Sequence, residues 1–533
     1  MIFHLLALLA TAAFAFFLYR RLPRYLHIFQ QEEYDNPRFL SWIVSARAFD
    51  IRVTIALVVL SAVYLVAGAY ITWELWPITG GAVFLAAAAL EPDPTKAGKK
   101  PLVLTQRAKA IFYLALGIGA VIGALIAWLL PVWGWIIGVQ LPPLMLVLAN
   151  TILWPMEKKK QLFFLTDAKA RLKRINPEVI GITGSFGKTT VKHMLGHVLS
   201  LLDNAFITPG SVNTPMGISR VIREQLPEDT RFFVVEMGAY GPGSIARLCD
   251  LTPPQSGAIT AIGEAHYERF KTLDIVARAK FELAEAVLKS TGKIVVTDNV
   301  LAQDYAQKTV ATHRDRFIIC GEGENADVRI GPWKVTPEGL EIALTWADKT
   351  HAVQAPVFGT HNVGNIAVVF GIAVGLGMQP ERVVAALRSA PQTKHRLEVK
   401  KQDNGLIVID DAYNSNPTGF EAALGVLSLM GEGGKRRRVL VTPGMVELGA
   451  RHDELHTKLG GIAADHADMV IAVRSERIPT FVEAFKAKRK PEDIMQVGSF
   501  GEAKKWLDEN IKGDAVILLE NDLPDLYERK LTL

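Results

Sequence analysis

The chain has 533 residues, a formal charge of +5 and two cysteines, Cys249 and Cys320, far apart in sequence. That length gives room for about three domains, and the small charge, with no basic tract interleaved with aromatics, gives no support for nucleic-acid binding. The isolated cysteines fit a reducing compartment and exclude a zinc ribbon or a disulfide framework.

A mean hydropathy of +0.21 is high for a soluble enzyme, and its source is local. Residues 1–20 are apolar and are followed by "RRLPR", whereas a cleaved signal peptide carries its basic residues first. A retained anchor is therefore expected. Further apolar runs occupy 53–75, 77–91, 111–130 and 132–155; most approach the ~20 residues that cross a bilayer, and 77–91 is short enough to be re-entrant. Basic residues gather at Arg20, Arg21 and Arg24, at Lys96, Lys99, Lys100 and Arg107, and at Lys158, Lys159 and Lys160. Five spans with the N-terminus outside place all three clusters in the cytoplasm. Trp73 and Trp76 then fall at the outer interface, and the remaining two-thirds of the chain faces ATP in the cytoplasm. The expectation is a multi-pass protein of the cell membrane, with domains at 1–160, 161–390 and 391–533.

From about residue 161 short apolar runs alternate with amphipathic stretches. Strands are predicted in "VIGIT", "RFFVVEM", "SGAITAIG", "GKIVVTD", "LIVIDD", "RVLVTPG" and "MVIAV", with helices over 188–202, 273–289, 363–377 and 417–430. This alternation predicts two successive α/β domains built on parallel sheets. Residues 320–356 are a β-rich excursion, and 389–399 an interdomain connection.

The stretch "GITGSFGKTTVKHM" (181–194) follows a predicted strand and opens a helix. Gly184 and Gly187 let backbone N–H groups of the Ser185 turn approach phosphate oxygens. Lys188 can neutralise phosphate charge, and Thr189 or Thr190 can coordinate Mg²⁺. The spacing departs from G-x-x-x-x-G-K-[ST], because five residues separate Gly181 from Gly187.

The variant T-G-[ST]-x-G-K-T resembles that of the Mur ligase family, and the resemblance runs through about 180–460. "TPGSVNTPMGIS", "VVEMGAYGPGSI", "TAIGEAHYERF", "ARAKFEL", "GTHNVGNIAV", "HRLEV", "IDDAYNSNP" and "GMVELGARHDELH" follow in the family's order, with Ala261 where asparagine is usual. The D-D-x-Y-N-x-N-P and E-M-G-A forms look most like the MurF branch, which adds D-alanyl-D-alanine to a nucleotide-linked muramoyl peptide. The resemblance implies a central P-loop ATPase domain, a Rossmann-like C-terminal domain, and an ADP-forming peptide ligase of envelope-precursor synthesis. ATP and Mg²⁺ are the expected cofactors, and a muramoyl-peptide-like or lipid-linked acceptor with an amino acid or dipeptide the expected substrates.

Such a ligase phosphorylates a carboxylate and shields the acyl phosphate from water until an amine attacks. Glu236 at a strand end and His266 are then candidate Mg²⁺ ligands beside Thr189. The resemblance implies that Lys280 is carbamylated and joins them, and that Asn362 and Asn365, one helical turn apart, contact the base. Arg396 can reach the transferring phosphate, Asp411 can hold ribose or metal, and Asn213, Tyr413 and Asn414 are expected to meet substrate. A structural histidine, a salt bridge at Lys280 and capping asparagines are the plainer alternatives. The family's uridine-nucleotide-binding domain has no counterpart in 1–160. A ligase acting on lipid-linked peptidoglycan, a poly-glutamate ligase and an ATP-binding membrane scaffold without turnover therefore stay open.

Overall fold

The structure, a computed structural model, describes residues 2–66, 75–95, 101–129, 133–263, 272–413, 415–446, 448–511 and 513–521. It divides into two compact units, with the boundary between Gln161 and Leu162.

The first unit is helical: Ile2–Gln31, Asn36–Ser45, Ile51–Val66, Trp76–Ala89, Gln106–Leu129, Gly134–Gly138 and the start of Pro142–Ile175. Gly119 and Gly123, four residues apart on one face of Gln106–Leu129, leave room for Leu18 and Phe14 of the first helix. This is small-residue packing of the kind that joins membrane helices. Phe14, Phe84 and Trp135 close the core with ring centroids 5.0–5.2 Å apart.

Three features differ from expectation. The first helix does not stop near residue 20 but runs to Gln31 through Pro23, taking Arg20, Arg21 and Arg24 into it. Arg21 is buried against Asp50 (2.9 Å) and Glu91 (2.6 Å), and Arg24 reaches Glu91 at 3.0 Å. Buried carboxylates thus compensate charge that the sequence places at a membrane surface. Trp76 faces inward: it is 1% exposed, folded over Gly80 of its own helix. Finally, two helices, Leu5–Gln31 and Gln106–Leu129, are long and apolar enough to cross a membrane among the described residues; Ile51–Val66 and Trp76–Ala89 are shorter. The run 132–155 is split between Gly134–Gly138 and a long helix that carries Lys158–Lys160. Trp73, Lys96, Lys99 and Lys100 lie outside the described residues.

The second unit holds two sheets. The first runs in the order β2 (Ala205–Ile207), β3 (Phe232–Glu236), β1 (Glu178–Thr183), β4 (Ser256–Ile259), β5 (Ile294–Thr297), β6 (Phe317–Gly321), β7 (Val328–Thr336), β8 (Gly339–Trp346), β9 (Lys349–Ala355). Strands β2 to β6 are parallel and β7–β9 form an antiparallel meander, so the predicted β-rich excursion extends the same sheet. The interiors of the parallel strands β1 and β3 are apolar, as burial on both faces requires, with Glu178 at the start of β1 and Glu236 at the end of β3. Helices Lys188–Ser200 and Asn362–Gly375 cover one face, and Ser244–Leu251 with Leu273–Val287 the other. The chain lays β2 and β3 on one side of β1 and then crosses to β4 on the other, so the loop after β1 sits at a topological switch point.

The second sheet runs β10 (Glu398–Lys401), β11 (Ile407–Asp411), β15 (Ala515–Glu520), β12 (Arg437–Thr442), β13 (Met469–Val473), β14 (Ile494–Val497), parallel except for β10. The two sheets are joined through residues 388–397, where the interdomain connection is expected.

Candidate active site

Strand β1 ends at Thr183, whose hydroxyl donates to Met237 O at 2.9 Å and ties the loop to the strand beside it. Gly187 caps the following helix with φ +81°, and a β-carbon there would collide with Asn365. Glycine is required on both counts. Ser185 N donates to Ala261 O at 2.8 Å, and Ser185 Oγ and Gly263 share two 3.0 Å bonds. Alanine at 261 therefore serves through its carbonyl.

Lys188 curls back over the loop and donates to Gly184 O at 2.6 Å. Loss of hydration lowers its pKa to about 8; Glu236 opposes that shift and Arg396 adds to it. Thr189 Oγ1 donates to Glu236 Oε2 at 3.0 Å, and Thr190 follows half-buried on the same turn.

Glu236, at the end of β3, is 1% exposed and is the hub of the site. Besides Thr189 it accepts from Lys192 Nζ at 3.0 Å and from Asn213 Nδ2 at 3.3 Å, and its own N–H donates to Thr208 Oγ1 at 3.1 Å. Asn213 is fixed in turn by Tyr240, whose hydroxyl donates to its Oδ1 at 2.9 Å. Lys192 is also bonded to Gly210 O. Lys192 is not among the residues expected at the site; its signal in the sequence is the one-turn spacing from Lys188, which puts both ammonium groups on the loop side of the helix.

Lys280, on helix Leu273–Val287, is buried, and among the described residues its Nζ has no hydrogen-bond or ion-pair partner. Burial, and after it the charge of Lys188, push its pKa far below that of an ordinary lysine. Among the described residues, no salt bridge to Lys280 is present.

Asn365 donates to Asn362 Oδ1 at 2.7 Å, and Asn362 to Phe358 O at 2.5 Å. The pair is buried behind Gly187, so these asparagines buttress the phosphate loop. Arg396 lies in the connection that leads into the second sheet and stacks 4.3 Å over the ring of Tyr413, itself half exposed. Its charge acts on Lys188, Lys192 and Asp411, which places it among the site's groups. Asp411 accepts from Leu397 N at 2.9 Å and burial raises its pKa to about 6. Its Oδ1 is thus engaged by the backbone beside Arg396. His266 and Asn414 lie outside the described residues.

A glycine-cradled loop, a cation over it, and a buried carboxylate joined to the first threonine make a nucleoside-triphosphate site. The comparisons then decide the family. The Mur ligase middle domain matches residues 182–373, and the Mur ligase glutamate ligase domain residues 395–520. A UDP-N-acetylmuramoyl-tripeptide–D-alanyl-D-alanine ligase of Bacillus subtilis is 31% identical over 378 residues, 68% of this chain and 79% of that protein. The chain belongs to the Mur ligase family. The enzyme of the same name from Mycobacterium tuberculosis is 32% identical over 54% of this chain and 56% of its own length, so the chain spans little more than half of that relative. A crystal structure of MurF from Acinetobacter baumannii aligns with a TM-score of 0.56 at 27% identity, covering 68% of this chain and 77% of that one. This Mur ligase is accordingly an ATP-dependent, ADP-forming amide ligase, MurF-like, of peptidoglycan-precursor synthesis, preceded by a helical region.

Proposed function

We propose that this ligase joins an amino acid or dipeptide such as D-alanyl-D-alanine to the carboxyl end of a muramoyl peptide, through an acyl phosphate. The observation that carries the reading is Glu236, gripped by Thr189 and Lys192 behind the phosphate loop, with the buried Lys280, unpaired among the described residues, near Lys188. The acceptor carboxylate attacks the terminal phosphoryl group and ADP leaves; the amine then attacks the acyl carbon and phosphate leaves. Lys188 and Arg396, both cationic, stabilise charge on the transferring group, and Arg396 suits it because its planar fork donates in pairs.

The oxygen donors of Thr189 and Glu236 fit Mg²⁺, which prefers hard ligands and retains water. When bound, the ion screens the repulsion between phosphate and carboxylate oxygens. Lys280 and His266 are assigned to the same site. A lysine forced neutral by burial is the form that adds CO₂, giving a carbamate and one proton, and Lys280, buried close enough to Lys188 to feel its charge, suits that role. In this assignment Asn362 and Asn365 hold the loop beside the base, and Asn213 and Tyr413 line the way to substrate with Asn414.

The first unit we assign to the membrane. Val44, Ile55, Leu65, Leu125, Trp128 and Trp154 are all at least 51% exposed except Leu125 at 49%, a surface that water does not tolerate and lipid does. The division into 1–160, 161–390 and 391–533 follows from this reading. A helical unit where relatives hold uridine nucleotide favours an acceptor presented at the bilayer, with the ligase domains on the cytoplasmic side. The mechanism is tested with an acceptor carrying ¹⁸O in its carboxylate. One labelled oxygen should appear in inorganic phosphate, with ADP as the nucleotide product; label in AMP would refute the acyl-phosphate route.

A further inference from the structure

We propose that Glu520 is a positioning residue for Arg396: it fixes Asp411, and Asp411 fixes the turn that carries the guanidinium. The inference rests on the role given to Arg396 above. Glu520 stands outside every motif that marks the family resemblance, yet it ends β15 directly opposite Asp411 at the end of β11. The two carboxyls are 0% and 9% exposed. Two acids buried side by side are costly, so their neighbours must give them a use.

Each has one. Ser415 Oγ donates to Glu520 Oε1 at 2.5 Å, while Glu520 Oε2 meets no donor among the described residues. A proton held between the two acids supplies that donor. It also leaves Asp411 Oδ1 to accept the Leu397 N–H. The turn that this bond holds is strained: His395 and Leu397, on either side of Arg396, have φ of +58° and +53°. Side chains with a β-carbon rarely adopt that conformation and keep it only when surrounding contacts impose it. The contacts come from 410–413. His395 Nδ1 bonds Asp410 Oδ2 at 2.9 Å, Tyr413 N donates to His395 O at 3.3 Å, and the Tyr413 ring lies under the guanidinium. Asn521 closes the back of the clamp, its N–H on Asp411 O and its side chain on Gly444 O. Removing Glu520 deprives Asp411 of its partner and frees the turn.

The test uses the full-length protein in detergent, with steady-state kinetics and nucleotide binding measured together. Glu520→Ala should lower kcat roughly 10- to 100-fold, the cost of a misplaced charge, with KM for ATP moved less than about threefold. Glu520→Gln keeps a donor beside Asp411 and should retain kcat within about threefold. In an Arg396→Ala background, Glu520→Ala should cause no further loss, because both changes remove the same contribution. Should Glu520→Ala fail to fold, Ser415→Ala carries the same comparison with a smaller loss. An unchanged kcat in Glu520→Ala, or an equal loss with and without Arg396, overturns the proposal. An Arg396→Ala enzyme with native turnover overturns the role of Arg396, and this proposal with it; an inactive one beside a fully active Glu520→Ala overturns this proposal alone.

Discussion

Lys280 is assigned to the site because, among the described residues, no group pairs with its buried amine. Most buried lysines are paired, and an unpaired one is held neutral. Lys280→Ala should abolish turnover, with partial rescue by a small added carboxylate that occupies the vacated space. Lys280→Arg keeps a positive charge but cannot take up CO₂ and should stay inactive; an active arginine variant would show a simple electrostatic role. Asp411 supplies a second prediction. Burial raises its folded-state pKa to about 6, above its ordinary 3.8. The folded chain therefore holds a proton that the unfolded chain releases, and stability from this group, full at low pH, is lost as pH rises from about 4 through 6. Asp411→Asn has no such loss. Its melting temperature relative to the native protein should climb across that interval, and a constant difference would contradict the assignment.

At the scale of elements, the strands and helices around the phosphate loop were legible in the sequence because each is apolar with a clear period and ends in glycine, proline or a capping residue. "VIGIT", "RFFVVEM" and "LIVIDD" are strands as read, and the helix from Lys188 begins at the expected residue. Less legible were the parts set by tertiary contact. Lys192 looks like a surface lysine until Glu236 is seen beneath it, and Glu520 becomes visible only through its pairing with β11. The first helix gave a further surprise: arginines that read as its end are carried inside by Asp50 and Glu91, which lie 29 and 70 residues beyond Arg21. Gly187 tests the loop as an element. Gly187→Ala must hold φ near +81° and displace Asn365, and should cost about 1–2 kcal/mol from the backbone alone, with more from the collision. Nucleotide affinity should fall at least tenfold, and unchanged binding would mean that the loop is not rigid.

For the whole molecule, the composition leads to the expectation of a membrane part; the structure shows a helical unit with exposed apolar side chains, in which two helices have the length and apolarity of spans among the described residues. Reporter fusions placed after residues 35, 100 and 160 should read cytoplasmic, and one after 77 external. A fusion at 160 that reads external would separate the ligase from ATP and refute the topology. The proposed reaction forms an amide bond on a muramoyl peptide at the expense of ATP. It is tested most directly by giving detergent-purified full-length protein ATP, Mg²⁺ and D-alanyl-D-alanine, with either the soluble nucleotide-linked or the lipid-linked muramoyl peptide. ADP and the new peptide are then followed together by mass spectrometry. One ADP should form per amide bond, with the lipid-linked acceptor preferred. ADP release without an amide product on either acceptor, or no ADP release at all, would contradict it.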